Sequence, residues 1–238
     1  MNTDGVSLPD PADPRCDGAL FGLWRLSSGE HAHAAAEAVR TVWAARPWPS
    51  ERLLSYSVLV DTEGTTLLHC SQVTELRAPG AASSREQAAE RSAAVDALVP
   101  GIERLGVIGA RRHRSSTPPG PRDASRVGCV VLVTRELAPA DADGARALVD
   151  TLFASGAGAP LAPGLIGAHF HISPDGGHVL NYAEWTDEQA HRAAVGAPPR
   201  DNADWERAHA WPGLVRSGFQ RFRPVLTLLP GTREGGAE

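Results

Sequence analysis

Residues 165–195 read LIGAHFHISPDGGHVLNYAEWTDEQAHRAAV and decide the fold of this 238-residue chain. Two runs typical of β-strands, Leu165–Ile172 and His178–Trp185, flank the turn sequence Asp-Gly-Gly at 175–177. This arrangement predicts a hairpin, because a tight turn needs positive φ and glycine adopts it without strain. The Thr-x-x-Gln pattern that starts at Thr186 has the spacing of a capping box, which predicts a helix from that residue.

The order of predicted elements occurs twice along the chain. Sliding the sequence by 112 positions superposes the turn glycines without a gap, with Gly64 on Gly176 and Gly106 on Gly218. Strand, turn and helix patterns stay in phase under this constant offset. We interpret the chain as a tandem duplication of a β-α-β-β-α-β unit.

The duplication predicts units at 18–114 and 123–230, joined by the Pro- and Gly-containing linker 115–122. Residues 1–17 are rich in Pro, Asp and Gly and are expected to be disordered, and 231–238 is a polar tail. Each unit would form a four-stranded antiparallel sheet with helices on one face, so its other face needs cover. Two units packed sheet to sheet supply that cover within one chain.

The composition argues against several classes of protein. The net charge is −5 and no basic block is present, so a nucleic-acid-binding patch is not expected. No apolar run approaches the roughly 20 residues of a membrane helix, and the first residues do not have the pattern of a signal peptide. The three cysteines have no metal or redox spacing. We expect a cytoplasmic protein without nucleic-acid or membrane partners.

The hairpin carries the candidate site residues. Because side chains alternate across a strand, His169 and His171 share one face of the first strand, and Asn181 and Trp185 share one face of the second. His191 follows on the predicted helix. Asn is unfavourable in the middle of a strand, and a buried amide needs partners, which favours a pocket. The histidine pair has no evident third ligand, so no metal site is predicted. Trp185 by itself is also compatible with a core aromatic.

The segment VLNYAEWTDEQAHRAAVGAPPR, followed by WPGL, resembles the antibiotic biosynthesis monooxygenases, especially the cofactor-free anthrone oxygenases of aromatic polyketide pathways. The family run Asn-Tyr-x-x-Trp falls on Asn181, Tyr182 and Trp185, and His171 precedes the turn. The resemblance is strong over 165–213 and weaker over the first half. It implies an α+β fold in which tandem ferredoxin-like units form a dimeric α+β barrel within the chain.

Three features depart from the family pattern. His191 stands where the family has Tyr, six residues beyond the Trp. In the first unit, His69 and Val73 occupy the Asn and Trp positions, so that unit is predicted to be mainly a structural partner with a degenerate motif. The family Arg has no clean match, and Arg207 is the nearest candidate.

The resemblance implies oxidation of an anthrone-type aromatic polyketide to a quinone by O2, without flavin or metal. His191 or His171 would remove a proton, while Asn181 and Trp185 would hydrogen-bond the substrate carbonyl. The remaining substrate contacts are expected from Tyr182, His169 and Arg207.

Three alternatives stay open. The first is a hydroxylase, ring-cleaving or cyclisation enzyme of the same pathway type. The second is a haem-degrading relative, which would need a His about ten residues after the Trp, where this chain has Val195. The third is a non-catalytic protein that binds aromatic ligands. A homodimer of such chains is compatible with the sequence.

Overall fold

The structure is a computed structural model that describes residues 6–76, 81–197 and 203–231, with side chains omitted at 81–85. The predictions for residues 1–5 and 232–238 therefore lie outside the described residues. The first unit contains β1 (Gly18–Arg25), α1 (Gly29–Ala44), β2 (Leu53–Asp61), β3 (Thr66–Val73), α2 (Ala81–Leu98) and β4 (Glu103–Ser116). A short 3-10 helix, Ala124–Arg126, precedes the second unit. That unit contains β5 (Cys129–Leu137), α3 (Ala142–Ser155), β6 (Leu165–Ile172), β7 (His178–Trp185), α4 (Glu188–Gly196), α5 (Ala203–His209) and β8 (Leu214–Leu228).

The strands close into one antiparallel barrel in the order β1-β3-β2-β8-β5-β7-β6-β4. Within it, β4-β1-β3-β2 and β8-β5-β7-β6 have the same internal order, so each unit is a ferredoxin-like sheet. The last strand of each unit pairs with the second strand of the other, β8 with β2 and β4 with β6. The predicted fold class is confirmed: a single chain forms the dimeric α+β barrel.

The hairpin of residues 165–185 is also confirmed, with Phe170 opposite Asn181 in its register. Gly176 has φ of +77°, and a Cβ there would lie 2.3 Å from the backbone nitrogen of Ala142, so only glycine fits this turn. The helix cap differs from the prediction. Asp187, not Thr186, is the N-cap of α4, and its carboxylate accepts from the amide of Ala190 at 2.8 Å. Asp caps a helix as well as Thr does.

The barrel interior is filled by side chains from both units. The cluster there includes Phe21, Leu59, Leu68, Leu132, Leu180, Tyr182 and Phe222. A cavity of about 20 Å³ remains beside them, which is room for about one water molecule. The opposite faces of the two sheets are covered by the helices, α1 and α2 on the first unit and α3, α4 and α5 on the second.

Residues 6–17 are ordered, contrary to the disorder predicted for this segment. Leu8 is 3% exposed and belongs to the barrel cluster. The carbonyl of Asp10 accepts from Gln72 Nε2 at 2.7 Å, and that of Pro11 accepts from Arg112 at 2.8 Å. One apolar side chain and paired carbonyls thus hold a segment whose composition indicated a tail.

The two closing strands are long. β4 continues to Ser116, into the predicted linker, and β8 covers Leu214–Leu228. Their exposed faces weaken the apolar pattern by which strands are recognised. The rest of the linker is held by Arg122, which forms a bidentate pair with the fully buried carboxylate of Glu184 at 2.7 and 2.6 Å.

Candidate functional site

The face of the second sheet that lies under its helices brings together two of the predicted site residues. Along β7, Asn181 and Trp185 project to this outer face, whereas Tyr182 projects into the barrel. Asn181 lies between Phe170 of β6 and Val133 of β5 in the sheet register. This outer face of the second unit is the candidate site.

Three buried polar atoms on the outer face have no hydrogen-bond partner among the residues that the structure describes. They are Asn181 Oδ1, Trp185 Nε1 and Nη1 of Arg135, a β5 residue on the same side as Val133. Leaving one buried donor or acceptor unpaired costs about 1–3 kcal/mol. These three atoms make the outer face a candidate site for a polar ligand. Buried polar atoms without a partner also occur in the first unit, among them His69 Nε2.

His191 of α4 completes the outer face. Its ring packs edge-on against Trp185 at 5.0 Å and against Phe219 of β8 at 5.2 Å between centroids. Nδ1 accepts from Nε of Arg221 at 2.9 Å. Burial, and then the charges of Arg221 and Arg192, lower the pKa of His191 to about 4. The ring is therefore neutral near pH 7, and its proton lies on Nε2.

Aromatic side chains form the remaining walls. Phe170, opposite Asn181, contacts Phe153 of α3 edge-on with 5.3 Å between centroids. The guanidinium of Arg114 lies over the Phe153 ring at 4.2 Å. With Phe219 and Trp185 on the other side, the face offers rings against which a flat aromatic molecule can pack.

The structure places His171 on the opposite side of the sheet. Its ring contacts Phe21 in the barrel interior at 5.2 Å, and its Nδ1 bonds the carbonyl of His169 at 3.0 Å. Burial lowers the pKa of His171 to about 3. The sheet lies between this ring and the Asn181 side chain, so His171 cannot act on a ligand at the outer face.

Three further predicted site residues are also kept away from the outer face. His169 faces inward, with its Nδ1 2.9 Å from Ser115 Oγ, and Tyr182 belongs to the barrel cluster. Arg207 is an exposed residue of α5 and pairs with Asp204 at 2.9 Å. The predicted constellation therefore divides into an outer set, an inner set and one surface residue.

The matching face of the first unit is filled by its own aromatic side chains. His69 holds the register position of Asn181, and Trp24 holds that of Arg135. Trp24 packs on the His69 ring with 3.8 Å between centroids, and the Tyr56 hydroxyl lies 2.5 Å from His69 Nδ1. Trp43 stacks on Tyr56 at 4.3 Å.

Neither a metal cluster nor a membrane helix is found in the parts of the chain that the structure describes. No three His, Cys, Asp or Glu side chains there are grouped so that they could hold a metal ion. None of the described helices is long and apolar enough to cross a membrane.

Sequence reasoning missed Arg135, Phe219 and Arg221. Arg135 ends the alternating series Val131, Val133 and Arg135 on the outer side of β5, where a charge interrupts β-branched residues. Phe219 and Arg221 alternate in the same way on β8. A period-of-two reading of these strands beside β7 would have pointed to them.

Comparison with known proteins finds solved structures of the same fold. No family model matches the chain, and no curated protein matches it. A solved structure described as an anthrone oxidase-like protein superposes with a TM-score of 0.68 at 15% identity, covering 93% of this chain and 97% of its own. A putative monooxygenase from Lactobacillus acidophilus NCFM superposes with a TM-score of 0.51 at 13% identity, covering 90% and 97%.

A third solved structure matches part of the chain. It is a monooxygenase from the gene ActVA-Orf6 of Streptomyces coelicolor, in complex with the ligand nanaomycin D. It is 33% identical over 44% of this chain and 94% of its own, with a TM-score of 0.38, a superposition too poor to carry an inference. The two matches over the whole chain show the fold, which proteins described as monooxygenases share.

Proposed function

We propose that this protein is a cofactor-independent monooxygenase that oxidises an anthrone-type aromatic polyketide to a quinone with O2. One observation carries the proposal: Asn181 and Trp185 hold unpaired buried polar atoms on a single face walled by aromatic rings. Polar groups aimed at a flat apolar site suit a phenolic polycycle, whose rings stack and whose oxygens need hydrogen bonds.

In this mechanism the substrate supplies the electrons. Loss of one proton from the anthrone CH2 gives a delocalised anion, which transfers electrons to O2 and forms a C–O bond. The resulting hydroperoxide loses water as its O–O bond breaks, so that CH2 and O2 become C=O and H2O. The indole N–H of Trp185 stabilises the oxygen on which the negative charge develops. Asn181 Oδ1, which is the unpaired atom of that side chain, accepts from a phenolic hydroxyl of the substrate.

His191 acts in this proposal as a hydrogen-bond donor. The sequence led us to expect a base, but Nδ1 accepts from Arg221, and the pKa near 4 leaves little basicity at neutral pH. The Nε2–H is then available to the substrate anion, and the proton leaves to solvent. The site favours ionisation by stabilising the anion, because each well-placed donor lowers the energy of the charged form.

Oxygen consumption by chelator-treated protein with 1,8-dihydroxyanthrone tests the reaction, with autoxidation in buffer subtracted and the product identified by mass. We expect one O2 consumed per quinone formed. Binding of the anthrone without O2 uptake would instead indicate a non-catalytic protein. A hydroxylated or ring-opened product would indicate a hydroxylase or a ring-cleaving enzyme.

Two substitutions of His191 separate donor from base. His191→Gln keeps an N–H donor but cannot accept a proton as imidazole does, whereas His191→Ala removes both functions. We expect the Gln variant to retain several-fold more turnover than the Ala variant. Equal loss in both variants would restore the assignment of His191 as the base.

A further inference from the structure

Arg135 is a charged residue on the outer face of the second unit. Its register partners are Val179 on β7 and Ser217 on β8, so it lies diagonal to Asn181 on the same side of the sheet. Diagonal neighbours in antiparallel strands have Cα atoms about 7–8 Å apart, within reach of a long side chain. The guanidinium and the Asn181 amide therefore can contact one ligand.

No counter-ion for Arg135 is found among the residues that the structure describes. Its Nη1 is fully buried without a hydrogen bond, and the side chain as a whole is partly buried. Burial lowers its pKa, and no carboxylate opposes that effect. The adjacent acid, Glu136, projects to the other side of β5 and pairs with Arg216. Withdrawing a charge from water is unfavourable unless a partner of opposite charge compensates.

The first unit has an aromatic residue at the position of Arg135. Trp24 stands there and packs against His69. The guanidinium that lies over the Trp24 ring, that of Arg104 at 4.7 Å, is paired with Asp96 at 2.9 Å. Burying an unpaired guanidinium in place of such an aromatic residue has no structural advantage. Its presence in the second unit points to an anion that is supplied from outside the chain.

We propose that Arg135 binds the ionised oxygen of a phenolic ligand and thereby selects substrates that are bound as anions. This inference rests on the proposed function, since it takes the outer face as the substrate site. The guanidinium is planar and charged at all relevant pH values, and its donors match an oxyanion. Asn181 and Trp185 then contact other parts of the same polycycle.

The test measures ionisation of a bound probe and needs no turnover. A hydroxyanthraquinone whose visible band shifts to the red on ionisation is titrated anaerobically with and without saturating protein. We expect the pKa of the bound phenol to lie below that of the free phenol. In Arg135→Met it should rise by about 1–3 units, the usual effect of an opposite charge at close range. Arg135→Lys should keep part of the effect, and the exposed control Arg216→Met should keep all of it.

Two results would overturn the proposal: a wild-type protein that binds none of the probe or only its neutral form, or an Arg135→Met variant that binds it with an unchanged pKa. Failure of the reaction gives a different pattern, because a lowered phenol pKa without O2 uptake leaves Arg135 as an anion site in a non-catalytic protein. If Arg135→Met changes neither the rate of O2 uptake nor the pKa of the bound phenol, the role of Arg135 is refuted and the proposed reaction still stands.

Thermal melting of the ligand-free variants gives an independent readout. If Arg135 serves a ligand, the Met variant should melt at a higher temperature than the wild type, because an uncompensated charge has been removed. Probe binding should then raise the melting temperature more in the wild type than in the variant. A lower melting temperature for the ligand-free Met variant would show that Arg135 serves the fold instead.

Discussion

Nε of Arg221 donates to Nδ1 of His191 over 2.9 Å, and this contact fixes which nitrogen of the imidazole carries the proton. A guanidinium has no acceptor, so the His191 nitrogen beside it must present its lone pair. Trp185 and Phe219 hold the ring edge-on from two sides. The residue that the sequence suggested as a base is thereby arranged as a neutral donor.

Nitrogen NMR of labelled protein should show His191 as the Nε2–H tautomer, neutral down to a pKa of about 4. In Arg221→Met the pKa should rise toward the ordinary range, because a nearby positive charge and its hydrogen bond are removed. The Arg223→Met variant serves as the control, since this exposed residue pairs with Glu188 at 3.2 Å. An Nδ1–H tautomer in the wild type would contradict the assignment.

Trp185→Phe should reduce turnover by roughly 100-fold, the usual effect of removing one donor from a developing oxyanion. Stability should change little, because Nε1 of Trp185 has no partner among the described residues whose bond could be lost. Trp48→Phe is the matched control. Its Nε1 donates to the carbonyl of Leu53 at 2.8 Å, so this variant should lose stability and keep turnover. Unchanged turnover in Trp185→Phe would refute the role of the indole.

The fold was predictable from the sequence because it depends on local signals that repeat. The turn at Gly176 and its counterpart at Gly64 both have positive φ, near +77° and +79°, and each is a glycine. Such positions mark where strands end, and a constant spacing between them reveals the duplication. The pairing of β2 with β8 follows once two such sheets must cover each other.

The site was only partly predictable. Alternation along a strand shows which side chains share a face, but not whether that face points to the barrel interior or to the helices. The sequence places Asn181 and Trp185 on one face of β7 and His169 and His171 on one face of β6. It does not say which face of either strand lies under the helices, so the two pairs were expected at one site. Arg135 precedes Asn181 by 46 residues in the chain, and Arg221 follows Trp185 by 36 residues. Their proximity to β7 exists only through the order of strands in the barrel.

Acid should destabilise the protein below pH 6.5, because buried histidines are neutral in the fold. Burial lowers the pKa of His171 and of His69 to about 3. The unfolded chain therefore takes up protons first as the pH falls from about 6.5 toward 3. Stability is lost over that window at about 1.4 kcal/mol per pH unit for each histidine.

The histidine contribution can be isolated with His171→Leu. Urea denaturation at pH 7.5, 6 and 5 should give a shallower loss of stability with falling pH in this variant than in the wild type. The exposed control His33→Leu removes a ring that bonds the carbonyl of Gly29 at 2.8 Å, and should leave the slope unchanged. An equally steep slope in His171→Leu would show that another group controls the acid response.

Arg122→Met should destabilise the protein by about 3–5 kcal/mol, because it leaves the carboxylate of Glu184 buried without its partner. Burial already raises the pKa of Glu184, while Arg122 lowers it. Without the guanidinium that pKa rises further, so the variant should recover stability as the pH falls through the new value and Glu184 takes up a proton. Adding Glu184→Gln should recover part of the loss at pH 7.5, and the exposed neighbour Arg126→Met should cost little. Guanidinium denaturation of the wild type and these three variants measures the differences. A loss below 1 kcal/mol in Arg122→Met would show that the pair does not hold the linker to the barrel.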